Sequence, residues 1–227
     1  MSASAWRTVL KINNIHAVVK ILRRAVKEWR SPYVTEMSQA QRDPFRVLIS
    51  TMLSLRTKDA VTEVASERLF ALAHTPATMM HLTPRQIEKA IYPVGFYHTK
   101  ARNIIQVCRD LVEQYGGKTP DEIDELVKLP GVGRKTANLV LTLGYCKLGI
   151  CVDTHVHRIT NRWGYVKTKT PEQTEMALRE KLPTQYWIEI NDELVAFGQN
   201  LCHPTSPKCS ICPVFKYCER IGVTRSR

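Results

Sequence analysis

The chain has 227 residues, so on a prior of roughly 150 residues per domain it forms one large domain or two small ones. Lysine and arginine number 33 against 21 aspartate and glutamate, which gives a formal net charge of +12. With 44% hydrophobic residues, 10 glycines and 12 prolines, the composition excludes a disordered, collagen-like or low-complexity chain. The basic excess favours a polyanionic partner or an anionic lipid, with solubility alone as the alternative.

No apolar run approaches the roughly 18 residues that a membrane span needs, so we expect no membrane partner. The first residues contain no apolar segment of the kind found in a secretory signal. We therefore expect an intracellular protein, in the cytoplasm or nucleoid if the organism is prokaryotic. Its seven cysteines are then interpreted for a reducing compartment.

The hydrophobic residues recur with a helical period, and alternation with a period of two is nearly absent. One helical face near the N-terminus contains Ile15, Val18, Val19, Leu22, Val26 and Trp29. Thr-Pro followed by a glutamine or glutamate predicts capped helix starts at Thr83, Thr119 and Thr170. Further helices are predicted at 44–55, 60–72, 100–115, 135–143, 154–163 and 187–201. The predicted fold class is all-α.

Four of the seven cysteines lie close together, at Cys202, Cys209, Cys212 and Cys218. In a reducing compartment such a group shares a metal more often than it forms disulfides. Only Cys209 and Cys212 have the spacing of a zinc-binding hairpin, and the wider gaps favour a bulkier [4Fe–4S] cluster, with structural zinc as the alternative. Lys208 makes the loop basic and is a candidate DNA contact. The other three, Cys108, Cys146 and Cys151, are expected to be small buried hydrophobic residues.

The sequence Leu129-Pro130-Gly131-Val132-Gly133-Arg134-Lys135 predicts a tight turn between two helices. A Gly-x-Gly turn lets the backbone approach a ligand closely, and the free N–H groups at the start of the second helix suit a phosphate. An ordinary interhelical turn is the alternative. Lys135 falls in the first turn of the second helix, where the helix dipole disfavours an ammonium group, so it is a candidate amine nucleophile.

The segment Val152-Asp153-Thr154-His155-Val156-His157-Arg158 follows the hairpin. Asp153 is well placed to cap a helix, and capping alone is the alternative to a catalytic role. The histidines and Arg158 of this segment indicate a polar, cation-lined face. We do not expect His155 and His157 to bind zinc, because residues two apart on a helix point in different directions.

The hairpin sequence, the Val-Asp-Thr-His segment and the Cys-x6-Cys-x2-Cys-x5-Cys tail occur here in one chain and in this order. From about Asp43 to Cys218, the chain resembles the endonuclease III family of helix-hairpin-helix DNA glycosylases and abasic-site lyases. The resemblance implies two helical lobes that flank a DNA-binding cleft. One would be a six-helix barrel with the hairpin, at 37–147, and the other an iron–sulfur cluster lobe made of 1–36 and 148–227.

The resemblance also implies a bifunctional enzyme, expected to be monomeric, that removes oxidised or ring-saturated pyrimidines from duplex DNA in base excision repair. The damaged base would be flipped out of the duplex, and Lys135 would attack the deoxyribose C1′ and form a Schiff base. Asp153 would accept the amine proton or stabilise positive charge on the sugar. The four clustered cysteines would hold a [4Fe–4S] cluster. Family members that only excise a base carry another residue in place of this lysine, so Lys135 favours the lyase branch.

Other predicted DNA contacts carry over from the same resemblance. Arg56 stands where the family usually has a glutamine that fills the hole left by the flipped base. Phe96 stands where the family commonly has a leucine wedge, with a buried core phenylalanine as the alternative. Lys100 begins a basic helix that we expect near the DNA backbone, with a solvated face as the alternative. The remaining candidates are Leu129, Gly131, Gly133, Arg134, His155 and Lys208.

Two other classes of function compete with a repair enzyme. A DNA-binding module without chemistry would need neither Lys135 nor Asp153 at these positions. An iron–sulfur redox or sensor protein would leave the basic charge unexplained, and the sequence shows no second cofactor motif.

Overall fold

The computed structural model describes residues 14–227, and the chain divides into two compact units. One unit is the continuous segment Pro32–Cys151, and the other joins the residues up to Ser31 to Val152–Arg227. All regular elements between residues 14 and 227 are helical, which confirms the all-α prediction. None of the helices in this part of the chain is both long and apolar enough to cross a membrane. The lobe boundaries predicted after residues 36 and 147 stay a prediction.

The helices of the unit Pro32–Cys151 are α2 (Tyr33–Ala40), α3 (Pro44–Ser54), α4 (Asp59–Leu72), α5 (Pro76–Met79), α6 (Pro84–Ile91), α7 (Tyr97–Tyr115), α8 (Ile123–Leu126) and α9 (Arg134–Leu139). The unit is built around α3, most of whose residues are buried. The helices α2, α4, α7 and α9 pack against α3.

A π-helical turn, Val140–Gly144, continues α9 where the sequence predicts an uninterrupted α-helix. This turn packs against the start of α3, where the Asp43 carboxylate accepts hydrogen bonds from the Phe45 and Arg46 amides. A Cβ on Gly144 would lie 3.0 Å from the Cα of Pro44, so the approach of the two segments depends on glycine. The close packing places the π-helical turn on the first turn of α3.

The second unit contains α1 (Ile15–Val26), α10 (Thr154–Arg162), α11 (Pro171–Lys181) and α12 (Ile190–Asn200). Its core forms where α1 and α10 pack against α12, with Leu22, Ile159 and Phe197 fully buried. The guanidinium of Arg23 on α1 donates a hydrogen bond of 2.7 Å to the buried carboxylate of Glu193 on α12. Short 3₁₀ turns lie before α12, at Thr184–Tyr186, and after it, at Cys209–Ile211 and Phe215–Tyr217.

Two of the three predicted Thr-Pro helix starts are confirmed. Thr83 and Thr170 each cap a helix, accepting from the amides of Gln86 and Gln173. The prediction at Thr119 is wrong, because α8 begins at Ile123 and the buried Thr119 hydroxyl has no partner in the described chain. Side chains distant in the sequence occupy the carbonyls of this non-helical segment, since the Tyr145 hydroxyl donates to the Thr119 carbonyl and the Lys147 ammonium donates to that of Asp121.

Candidate catalytic and DNA-binding site

The predicted hairpin joins α8 to α9, and its buried apolar side chains anchor it to the core. Leu129 is 3% exposed and Val132 is 6% exposed, and both belong to the core of this unit. Gly131 has a left-handed φ of +79°, and a Cβ there would lie 2.6 Å from the amide nitrogen of Asn103 on α7. At Gly133, by contrast, an added Cβ would meet no atom of residues 14–227 within 4 Å, its chain neighbours aside. The hairpin therefore presents glycine backbone and open space in front of α9.

Leu129 was predicted as a DNA contact, and the structure corrects this for its side chain. The side chain is used in the core, so it is not available to a ligand. Gly131 and Gly133 are exposed and Arg134 is half-buried, so these three predicted contacts remain accessible.

Lys135 is the second residue of α9 and is half-buried. Its backbone carbonyl accepts a weak hydrogen bond from the thiol of Cys151, at 3.7 Å. Its ammonium group has no hydrogen-bond or ion-pair partner among residues 14–227. The amine is thus fixed at the start of a helix yet not committed to another side chain, as a nucleophile requires.

Asp153 is the N-cap of α10, and one of its oxygens accepts from the amides of His155 and Val156, each at 2.8 Å. The capping role is therefore confirmed. No hydrogen bond reaches the second carboxylate oxygen from any described residue. Capping fixes the orientation of the carboxylate and leaves one oxygen for another partner.

His155 follows Asp153 on α10 and is half-buried against α12. A guanidinium nitrogen of Arg158 lies 3.0 Å from the Nδ1 atom of His155. A Cβ on Gly198 would lie 2.2 Å from the same ring atom, so glycine in α12 makes room for the imidazole. His155 is a predicted DNA contact, and its imidazole already contacts Arg158 and packs against α12 within its own unit.

Arg56 and Phe96 occupy two adjacent turns with left-handed backbone, with φ of 54° and 59°. Both side chains are exposed, Phe96 by 62%, which rules out the alternative of a buried core phenylalanine. The guanidinium of Arg56 lies 5.5 Å from the centroid of the Phe96 ring. The structure therefore brings these two predicted DNA contacts together as a cation–aromatic pair.

Lys100 was predicted to contact the DNA backbone, and the structure contradicts this. The residue is only 8% exposed, and its ammonium donates to the carbonyls of Leu53 at 2.8 Å and Leu55 at 2.6 Å. Burial lowers the pKa of Lys100 to about 8. The charge is used inside the protein, so this lysine is not available to a phosphate.

The four clustered cysteines line one pocket, together with Arg162, Phe197 and Lys208. None of them forms a disulfide. Burial raises the pKa of the Cys212 thiol to about 12, and the neighbouring Cys218, Cys202 and Cys209 add to this rise. In the described chain no three His, Cys, Asp or Glu side chains are grouped so as to hold a single metal ion. The four cysteines thus surround one shared space.

The remaining cysteines differ from each other. Cys108 and Cys151 are buried as predicted, and burial raises the pKa of the Cys108 thiol to about 12. The prediction for Cys146 is wrong, because it is exposed in an irregular segment after the π-helical turn.

Two arginines of α10 anchor the cysteine loop, a role that was not predicted from the sequence. Arg158 donates to the Cys202 carbonyl at 2.8 Å. Arg162, 8% exposed, donates to the carbonyls of His203 at 2.6 Å and Pro204 at 2.5 Å, and to the sulfur of Cys202 at 3.4 Å. Their spacing of four places both arginines on one face of α10, and this is the signal that could have identified them.

Comparison with known proteins gives matches that agree with this geometry. Residues 49–184 match the family described as HhH-GPD superfamily base excision DNA repair protein. Endonuclease III of Thermotoga maritima is 51% identical over 177 residues, which cover 78% of this chain and 83% of the relative. Endonuclease III-like protein 1 of Gallus gallus is 46% identical over 171 residues, covering 74% of this chain and 61% of that relative.

Solved structures resemble the whole fold. A trapped covalent intermediate of endonuclease III with DNA, an estranged-adenine complex, matches with a TM-score of 0.83 and 32% identity, covering 93% of this chain and 97% of that one. A thermostable thymine-DNA glycosylase matches with a TM-score of 0.71 at 23% identity, covering 90% of this chain and 98% of that chain, and at this identity it shows the shared fold alone.

Proposed function

The chain belongs to the HhH-GPD superfamily of base excision DNA repair proteins, and we propose that its substrates are oxidised or ring-saturated pyrimidines in duplex DNA. The activity is that of a DNA glycosylase and abasic-site lyase, as the 51% identity to an endonuclease III supports. The proposal extends the activity to specific residues: Lys135 as nucleophile, Asp153 as its assistant, and the exposed turns as DNA contacts. The observation that carries it is the partner-free amine of Lys135 in the first turn of the hairpin helix.

In the proposed reaction the neutral amine of Lys135 attacks C1′ of the deoxyribose. The glycosidic bond breaks, its electron pair leaves with the damaged base, and the base takes up a proton. Asp153 accepts a proton from the attacking amine or stabilises the positive charge that develops on the sugar, through the oxygen that no described residue occupies. The C1′–O4′ bond then breaks, and O4′ keeps the electron pair and takes up a proton. The lone pair of the lysine nitrogen completes the Schiff base with C1′.

The lyase step follows from this Schiff base. A proton leaves C2′, the C3′–O bond breaks, and its electron pair departs with the 3′ phosphate, so the strand is nicked on the 3′ side. Water then hydrolyses the Schiff base and restores the free lysine. An amine at position 135 is required for this step, because a side chain without a nucleophilic nitrogen could not form the imine.

The duplex contacts that we propose lie on two surfaces of the unit Pro32–Cys151. At the hairpin, the exposed Gly131 and Gly133 would let a phosphate approach the backbone N–H groups at the start of α9. At the paired turns, the Phe96 ring would wedge into the base stack, and Arg56 would fill the space of the flipped nucleotide. The net charge of +12 would add attraction to the backbone that weakens steeply with salt. We propose that the protein acts as a monomer on DNA inside the cell, in the cytoplasm or nucleoid if it is prokaryotic.

The four clustered cysteines would hold a [4Fe–4S] cluster as resident cofactor. Supporting this are the pocket that they share and the absence of disulfides among them. The cluster would serve as a structural crosslink for a loop that has few apolar residues of its own. The buried Arg162 would compensate part of the negative charge of the thiolates.

The test is trapping of the Schiff base. Purified protein is incubated with a duplex that contains one oxidised pyrimidine, and borohydride is added to reduce the imine to a stable crosslink. We expect a covalent protein–DNA band and a nicked strand from the wild type, and neither from Lys135→Ala, while duplex affinity is largely kept. Lys89→Ala, at an exposed lysine of α6, is the matched control and should behave as the wild type. Crosslinking that persists in Lys135→Ala would assign the chemistry to another amine, and no crosslink from any variant would favour a binding module.

A further inference from the structure

Lys100 is a buried lysine without an acidic partner. Its side chain enters the core of the unit Pro32–Cys151, and no carboxylate in the described chain forms an ion pair with it. Its ammonium is surrounded instead by the carbonyls of Leu53 and Leu55 and by the hydroxyl of Thr57, at 3.4 Å. A buried charge is costly to maintain, so a residue that only fills space here would be apolar.

The acceptors of Lys100 lie at the C-terminal end of α3, which ends at Ser54. The last carbonyls of a helix have no partner within it, and they carry the negative end of the helix dipole. Lys100 supplies both a donor and a positive charge from a different helix, α7. The ammonium thus caps α3 at the point where the chain leaves the helix toward Arg56.

The same contacts tie together the turns of Arg56 and Phe96. The Thr57 hydroxyl accepts from the backbone amide of Gly95 at 3.2 Å as well as from Lys100. A Cβ on Gly95 would lie 2.7 Å from the carbonyl oxygen of Arg56, so the two backbones touch. Arg56 and Phe96 both have left-handed backbone that non-glycine residues rarely adopt and that surrounding contacts must hold.

We propose that Lys100 is a positioning residue for base excision, which locks the Arg56 and Phe96 turns together in the conformation that enters the duplex. This inference rests on the proposed function. Lys100 acts through the two turns and does not itself touch DNA. We therefore expect loss of Lys100 to slow a reaction in which a stacked base must be extruded much more than a reaction in which no base has to be moved.

The experiment compares two rates for Lys100→Met, a variant that fills the space of the lysine and removes its donors. One rate is single-turnover excision of an oxidised pyrimidine from a duplex, and the other is nicking of a duplex with a preformed abasic site. We expect excision to slow by about tenfold or more, because misplacement of a positioning element by about an ångström has effects of this size. Nicking of the abasic duplex should stay within about twofold, since an abasic sugar has no stacked base to extrude.

Two further variants control for stability and restore part of the function. Leu111→Ala, at a fully buried position further along α7, lowers stability without touching the Arg56 and Phe96 turns, so any loss of folded protein should lower both rates by the same factor. Lys100→Gln, whose shorter amide keeps two donors but carries no charge, should show the same selective loss of excision to a smaller degree, and its two rates decide the question if Lys100→Met does not fold.

Three outcomes separate the inference from the proposed function. Selective loss of excision in Lys100→Met supports the positioning role. Equal loss of both rates, as in Leu111→Ala, or no loss at all would overturn it while leaving the proposed function intact. A wild type that neither excises nor nicks would instead overturn the proposed function itself.

Discussion

The two compact units hold their candidate reactive groups by different physical means. In Pro32–Cys151, the hairpin that carries Lys135 is seated on buried apolar side chains and on a glycine with left-handed φ. In the second unit, the cysteine loop is held by Arg158 and Arg162, whose guanidinium groups donate to carbonyls of the loop. Removing a buried donor leaves carbonyls unsatisfied, whereas a substitution in the hairpin disturbs backbone conformation and apolar packing. The unit Pro32–Cys151 should therefore respond to backbone substitutions, and the second unit to loss of polar groups or of the proposed cluster.

The largest effect is expected at Asp153, where the capping role and the proposed charge can be separated. Asp153→Asn keeps an oxygen that can cap α10, because asparagine and aspartate are comparable N-caps. We expect the rate of base excision to fall by about 10²–10⁴-fold, the contribution typical of a group in proton transfer. Single-turnover excision and thermal unfolding of the same sample measure the two properties. Normal excision by the folded variant would reduce Asp153 to a structural cap.

The next effect tests the polar anchoring of the cysteine loop. Arg162→Met leaves the carbonyls of His203 and Pro204 without their donor, at a cost of about 1–3 kcal/mol for each unsatisfied group. Hydrogen exchange should become faster in residues 202–218, and iron should be retained less firmly during dialysis against a chelator. Amides of α3 in the other unit serve as the internal control. Uniform acceleration in both units would contradict the local anchoring.

A smaller effect should separate the two glycines of the hairpin. Gly131→Ala forces a side chain onto a left-handed backbone and into the amide of Asn103, so we expect a loss of about 1–3 kcal/mol in the free energy of unfolding. Gly133→Ala meets no protein atom and should leave unfolding unchanged while weakening duplex binding. Denaturant unfolding and duplex titration of both variants provide the measurement. Equal destabilisation by the two substitutions would show that packing does not distinguish them.

The smallest expected effect is a pH dependence at Lys100. Burial lowers the pKa of Lys100 from the ordinary 10.5 to about 8. Between these values the unfolded chain keeps a proton that the folded chain has released, so the free energy of unfolding rises with pH across this window. Lys100→Met should lack this contribution, so the difference in unfolding free energy between wild type and variant should grow from pH 7.5 to pH 10. A difference that stays constant with pH would contradict a buried ammonium.

Much of the fold was readable from the sequence because its signals are local. Helical periodicity located the long helices, and the caps at Thr83 and Thr170 follow from side chain and backbone groups within four residues. Thr119 has the same local pattern, but Tyr145 and Lys147 donate to the carbonyls of its segment, which is not helical. A single sequence does not reveal which of two identical patterns will meet such distant partners.

The site shows the same division between local and distant causes. The left-handed turn at Gly131 and the helix cap at Asp153 form as their motifs predict, because each depends on neighbouring residues in the chain. Lys100 was misassigned, since a basic residue at the start of a helix resembles a solvated one. A signal was present, because Lys100 lies four and eight residues before the buried Ile104 and Cys108, on the apolar face of α7.

The exposure of Cys146 has a practical consequence. Cys108 and Cys151 are buried, and the four clustered cysteines would be bonded to metal in the proposed holoprotein, so Cys146 is the thiol left accessible to a reagent. A maleimide dye would then attach at one native position, two residues after the π-helical turn ends at Gly144. The wild-type chain thus offers one labelling site on the unit Pro32–Cys151. A dye at this site could report the movement of the protein along duplex DNA, with no need to engineer another cysteine.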